Sequence, residues 1–153
     1  MTSATTHACA VLVGARAVLI RGPAGAGKSR LAYKLIEAGR TGLLPFARLV
    51  ADDRVHLESV NGRLLVRPAE KLAGLLEVRG LGILRVPHLP EATLRLVVTL
   101  GPGPDRLPGP ARHHPTDLPL VAVDPAHASA ARVVSLALDC ALGRVAQVAG
   151  AFS

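Results

Sequence analysis

Gly22-Pro23-Ala24-Gly25-Ala26-Gly27-Lys28-Ser29 spells G-x-x-x-x-G-K-S, the spacing of a loop that cradles phosphates. Glycines there let backbone N–H groups converge on phosphate oxygens with no Cβ in the way, and a helix starting at the loop adds a dipole that favours anions. In that frame Lys28 reaches the β- and γ-phosphates, and the Ser29 hydroxyl ligates Mg2+. A phosphate loop alone specifies binding; a reaction needs an acidic partner. Leu49-Val50-Ala51-Asp52-Asp53 supplies one, an apolar strand that delivers two carboxylates at its end. Adjacent residues at a strand end diverge, so one can serve the Mg2+ side while the other faces a nucleophile and takes its proton. Glu77-Val78-Arg79-Gly80-Leu81-Gly82-Ile83 is the third unusual stretch, a charged pair among glycines between two apolar runs.

The elements around these groups follow from periodicity. Ala8–Val13 and Arg16–Arg21 read as strands joined by Gly14-Ala15, and the second of them leads into the glycine loop. The helix after the loop keeps Leu31, Leu35 and Ala38 on one face, and Gly39 reads as its C′ stop. Arg48–Ala51 is the strand that ends in Asp52. Asn61-Gly62, which favours a type I′ turn, splits a hairpin of Val55–Val60 and Arg63–Arg67. Further strands are expected at Leu75–Val78, Ile83–Val86 and Thr93–Leu100, and a Pro/Gly-rich loop over 101–119. Val134, Leu138, Ala141, Leu142, Val145 and Val148 recur at helical spacing in a closing amphipathic helix. Strands outnumber helices, and hairpins stand where a βαβ crossover would sit. The fold class is therefore α/β with a mixed, substantially antiparallel sheet, on which the loop's helix and a C-terminal helix pack.

Composition narrows the function classes. The 153 residues read as a single domain, 1–153. Half of them are apolar, yet Tyr33, Phe46 and Phe152 are the whole aromatic complement, so the core is built of Leu, Val, Ile and Ala. No apolar run is long enough to span a bilayer, and Met1–His7 lacks the pattern of a secretory signal; the protein reads as cytoplasmic. Cys9 and Cys140 lack metal-ligand spacing and read as two buried free thiols. The net charge of +7 is carried mainly by arginines scattered along the chain. Without a basic run or stacking aromatics, that charge argues against nucleic acid as the main partner and suits phosphates or an acidic protein surface.

The order of the pieces carries a resemblance. Thr6-His7, a strand hairpin, G-x-x-x-x-G-K-S, V-A-D-D and E-V-R-G-L-G-I together resemble the catalytic domain of the bacterial HPr kinase/phosphorylase family, from His7 to about Val86. Asp105-Arg106-Leu107 looks like the family's D-R-L patch. The resemblance implies ATP and Mg2+ as cofactors, with the backbone and side chains of Gly22 to Ser29 as the nucleotide loop. It implies that Lys28 binds phosphate and that Ser29 and Glu77 ligate the metal. Asp53, with Asp52 beside it, is implied as the base that deprotonates a target serine, His7 as the residue that tunes it, and Arg106 as a steadying cation. The implied partner is HPr or an HPr-like phosphocarrier protein, and the implied assembly a homo-oligomer.

The chain departs from the family pattern in three places. It begins at the histidine strand, without the usual N-terminal domain; the segment between R-G-L-G-I and Arg106 is short; and Val123-Asp124-Pro125-Ala126-His127-Ala128 holds no arginine where the family carries a basic loop. The last departure weakens the implied phosphate-dependent dephosphorylation and the family's hexameric assembly. Two other readings stay open on the residues alone. One is a P-loop kinase for a small molecule. The other is a nucleotide-sensing module without turnover, against which the intact Asp52, Asp53 and Glu77 argue.

Overall fold

Apolar residues alternating along β2 and β3 set the centre of the structure. The computed structural model describes residues 5–101, 111–113 and 116–145. Along the chain come β1 (Thr5–His7), β2 (Cys9–Val13), β3 (Arg16–Arg21), α1 (Lys28–Arg40), β4 (Ala47–Ala51), β5 (Arg54–Val60) and β6 (Arg63–Pro68). A 3-10 turn (Glu70–Leu72) leads to β7 (Leu75–Val78), β8 (Gly82–Arg85), β9 (Ala92–Leu100), β10 (Ala111–His113), β11 (Leu118–Val123) and α2 (Ala130–Ala141). Cys9, Val11 and Val13 of β2 and Val18 and Ile20 of β3 pack with Leu31 and Leu35 of α1 and Val134 and Leu138 of α2. Ala10, Ala17 and Leu19 point to the opposite face, where Val50, Val55, Val66, Leu94 and Val97 join them. The period of two in these strands gives each sheet face its own core.

The main sheet runs β1-β5-β6-β9-β3-β2-β4, and β7 and β8 form a separate hairpin. Along that path every pair is antiparallel except β3 with β9. This is the mixed, substantially antiparallel sheet with two helices that the hairpin-rich sequence predicts. Asn61 (φ 51) and Gly62 (φ 77) are both left-handed, as a type I′ turn requires.

Four expectations differ from the structure. α1 does not stop at Gly39 but continues to Arg40, and Gly42 (φ 86) takes the left-handed position. Gly39 is demanded by packing instead: a Cβ there would lie 2.6 Å from the Ala47 nitrogen, so glycine lets β4 lie against the helix. The expected loop over 101–119 contains β10 and the start of β11. β6 pairs only with residues 92–93 of β9, which leaves the edge at residues 97–100 open to β11 in parallel register. The closing helix ends at Ala141, because Gly143 (φ 74) closes a Schellman turn: its N–H reaches Cys140 O at 3.1 Å, and Arg144 N–H reaches Asp139 O at 2.9 Å. Val145 therefore lies past the helix, and Val148 lies outside the described residues. Cys9 is buried as expected, whereas Cys140 is only half-buried. Among the described residues no helix is long and apolar enough to cross a membrane.

Candidate active site

The glycine loop leaves β3 and enters α1 through Gly27, whose left-handed conformation (φ 103) turns the chain into the helix. No side chain caps α1, so the free N–H groups of its first turn face the loop. Gly25 is also left-handed (φ 81), and nothing lies within 4 Å of where its Cβ would be. Lys28 Nζ donates to Gly22 O at 2.9 Å and Pro23 O at 3.3 Å, which holds its ammonium over the cradle. Opposite, a Cβ on Gly27 would come within 3.1 Å of Pro125 Cγ. Lys34 Nζ fastens that wall by donating to Pro125 O at 2.5 Å and His127 O at 3.4 Å.

β4 brings the two carboxylates to the loop. Antiparallel pairing sets Ala10 opposite Ala51, and the same direction of travel takes Ala8 N–H to Asp53 O at 3.1 Å. Asp52 is 5% exposed and turns inward. Its Oδ1 accepts the Ser29 hydroxyl at 2.7 Å and the Cys9 thiol at 2.8 Å, and its Oδ2 accepts Glu77 N–H at 3.0 Å. One carboxylate thus joins the loop, β2 and the β7–β8 hairpin. Burial, then the neighbouring Asp52 charge, pushes the Cys9 thiol far above its ordinary range, so it stays protonated and donates.

Asp53 turns the other way. Arg54 N–H reaches back to Asp52 O at 2.9 Å around Asp53, whose φ is 73, a tight three-residue turn with a non-glycine residue at its apex. Aspartate tolerates the left-handed region better than most residues, and such strain concentrates at functional sites. The turn throws the Asp53 side chain outward, 64% exposed, to a point 3.8 Å from Nδ1 of His7, which is also 64% exposed. His7 arrives there because β1 pairs with β5 in a register that sets it opposite Arg54.

These groups line one cleft of about 1080 Å³, with the glycine loop as its floor and Glu77, Arg79 and Pro125 on its walls. The structure thus gathers the loop, Lys28, Ser29, Asp52, Asp53, Glu77 and His7, all singled out by the sequence. Arg106 lies outside the described residues. Sequence reasoning gave no place in the site to Cys9, read only as a buried free thiol, or to Lys34. Neither carried a local signal, since each acts on a segment distant in the chain.

The donor chemistry suits a nucleotide with magnesium. Ser29 Oγ and the Glu77 carboxylate are hard oxygen donors lining the same cleft as the glycine loop. Among the described residues no three His, Cys, Asp or Glu side chains form a cage for a metal. Magnesium on a nucleotide needs none, because phosphates and waters complete its octahedron.

Comparison with known proteins gives the family and the fold. The HPr serine kinase C-terminal domain, as a family model, matches residues 1–93. The HPr kinase/phosphorylase of Clostridium tetani is 42% identical over 83 residues, 54% of this chain and 25% of that protein. Its counterpart in Streptococcus thermophilus is 42% identical over 86 residues, 56% of this chain and 26% of that protein. The match thus spans about a quarter of the length of these curated relatives. The structure of the HPr(Ser) kinase/phosphatase from Coxiella burnetii superposes with a TM-score of 0.71 at 21% identity, covering 93% of this chain and 98% of that one.

Proposed function

The chain belongs to the HPr serine kinase C-terminal domain family, and from that premise we propose that it is an ATP- and Mg2+-dependent serine kinase acting on HPr or an HPr-like phosphocarrier protein in the cytoplasm. The observation that carries the proposal is the outward turn of Asp53 beside His7 at the rim of the nucleotide cleft, each 64% exposed. A base so open can be reached by a serine on the surface of another folded protein. A small-molecule kinase would instead be expected to enclose its acceptor and shut out water.

Bound Mg-ATP supplies the transferable phosphoryl group and a cation that offsets its charge. The chain's own residues do the rest. Backbone N–H groups of the loop and Lys28 hold the phosphates, while Ser29 and Glu77 offer oxygens to the cation. Asp53 accepts the proton that leaves the serine hydroxyl as its oxygen becomes nucleophilic. His7 orients and electrostatically supports that carboxylate, and Arg106 steadies the phosphoryl group, as the family resemblance implies.

The reverse reaction would bring inorganic phosphate against a phosphoserine and requires added positive charge on the acceptor side. In Val123–Ala128 the basic candidate is His127, whose Nδ1 accepts Ser129 N–H at 3.0 Å, and the nearby Lys34 ammonium is engaged by carbonyls. The kinase direction is therefore the dominant one. The test is to incubate the protein with γ-labelled ATP and purified phosphocarriers, then map the label by mass spectrometry. Phosphoserine on the carrier is expected, with little pyrophosphate released when the product meets millimolar phosphate. ATP binding without transfer to any carrier, or label on a small metabolite alone, would overturn the proposal.

A further inference from the structure

Cys9 sits at the centre of the site, yet the chemistry above assigns it nothing. It is wholly buried on β2, with Sγ 2.8 Å from Asp52 Oδ1 and 4.0 Å from Ser29 Oγ. Asp52 Oδ1 is the same oxygen that accepts the Ser29 hydroxyl, and Oδ2 accepts Glu77 N–H. A carboxylate turns readily about its last bond, and donors on both oxygens are what fix its plane. Two of the three donors belong to residues that line the cleft: the Ser29 hydroxyl is the candidate metal ligand, and Glu77 N–H lies on the β7–β8 hairpin at the cleft wall. The Cys9 thiol belongs to β2, which is hydrogen-bonded on both sides, by β3 and β4, and the residue is fully buried there.

We propose that Cys9 is a positioning residue of the magnesium–nucleotide site, whose S–H donates to Asp52 Oδ1 and holds that carboxylate in the plane from which it orients the Ser29 hydroxyl. The thiol suits the task, because a weak donor fixes direction while leaving the carboxylate's charge for the metal side. The inference rests on the nucleotide-site reading, and packing alone makes the opposite prediction. Valine is larger than cysteine and has no donor, whereas alanine and serine both give up volume and differ from each other chiefly in the donor that serine keeps.

The test is titration calorimetry of a non-hydrolysable ATP analogue into the full chain, in saturating Mg2+ and again in EDTA, with melting curves as the control for folding. Cys9→Ala and Cys9→Val should lose Mg-dependent affinity by roughly 3- to 10-fold, the range of one hydrogen bond, with affinity in EDTA unchanged. Cys9→Ser should stay within about twofold of wild type, since it keeps the donor. Cys9→Val matching wild type while Cys9→Ser falls would overturn the proposal in favour of packing, and four equal affinities would overturn it outright. Should Cys9→Val not fold, Ala against Ser decides, equal values overturning. A wild-type protein whose binding is indifferent to Mg2+ would overturn the nucleotide-site reading itself, an outcome separate from any ranking of the variants.

Discussion

Asp52 and Asp53 are neighbours in sequence and opposites in structure. Asp52 is buried and accepts three donors from three segments, whereas Asp53 stands exposed at the apex of a strained turn with His7 at 3.8 Å. The left-handed backbone of Asp53 itself sends the two side chains apart. The difference shows how one strand end can present two kinds of carboxylate: the inner one is fixed by the groups it binds, and the outer one is left facing solvent. Mutations at the two positions should therefore fail in different ways.

The largest effect is expected at the outer carboxylate. Asp53→Asn keeps the side chain's shape and its tolerance of the left-handed turn but cannot take a proton. Turnover should fall by on the order of 10²–10⁴, with nucleotide affinity within a few-fold of wild type. A turnover assay beside calorimetry reads both. A mutant that no longer binds Mg-ATP would make Asp53 a metal ligand and erase the division of labour.

Next in size is the inner carboxylate. Asp52→Ala strands the Ser29 hydroxyl, the Cys9 thiol and Glu77 N–H without their acceptor, and should cost about 2 kcal/mol in urea unfolding without nucleotide. Asp53→Ala, which breaks only an exposed pair, should cost far less. Equal losses at the two positions would break the comparison.

The thiol adds a signature in pH. The folded state raises the ionisation of Cys9 above its ordinary value of 9.0, by burial first and by Asp52 second. Below that value both states hold the proton and stability is unaffected. Above it the unfolded chain ionises while the fold cannot, so stability falls as pH rises, by about 1.4 kcal/mol per unit from this group. Urea titrations in EDTA between pH 8 and pH 10 should show this loss in wild type and a shallower one in Cys9→Ser. Parallel profiles would mean that Cys9 is more accessible than its contacts imply.

The smallest expected effect lies in the backbone. With φ at 73, position 53 accepts glycine more easily than alanine, so Asp53→Gly should be more stable than Asp53→Ala by about 1 kcal/mol, both being inactive. Thermal melts of the pair decide it. The reverse order would show that the turn is not strained.

What the sequence could disclose was local. Gly22 to Ser29 is a backbone device whose residues act within eight positions, and Asn61-Gly62 fixes its hairpin through two left-handed residues that few other pairs tolerate. That an apolar strand delivers Asp52-Asp53 at its end, with adjacent side chains diverging, was readable from the run itself, and the family resemblance supplied the expected roles. The tertiary structure decided everything that depends on register between distant segments. Gly39 looks like a helix stop because glycine usually is one, yet it exists to admit Ala47. β11 hides among prolines because its partner, the upper edge of β9, is free only once β6 has ended. Cys9 and Asp52 are 43 residues apart, and no periodicity in either segment reveals that the β2–β4 pairing sets them at hydrogen-bond distance. Local chemistry is written in adjacent residues, whereas the partner of a buried polar group is chosen by the sheet that brings it there.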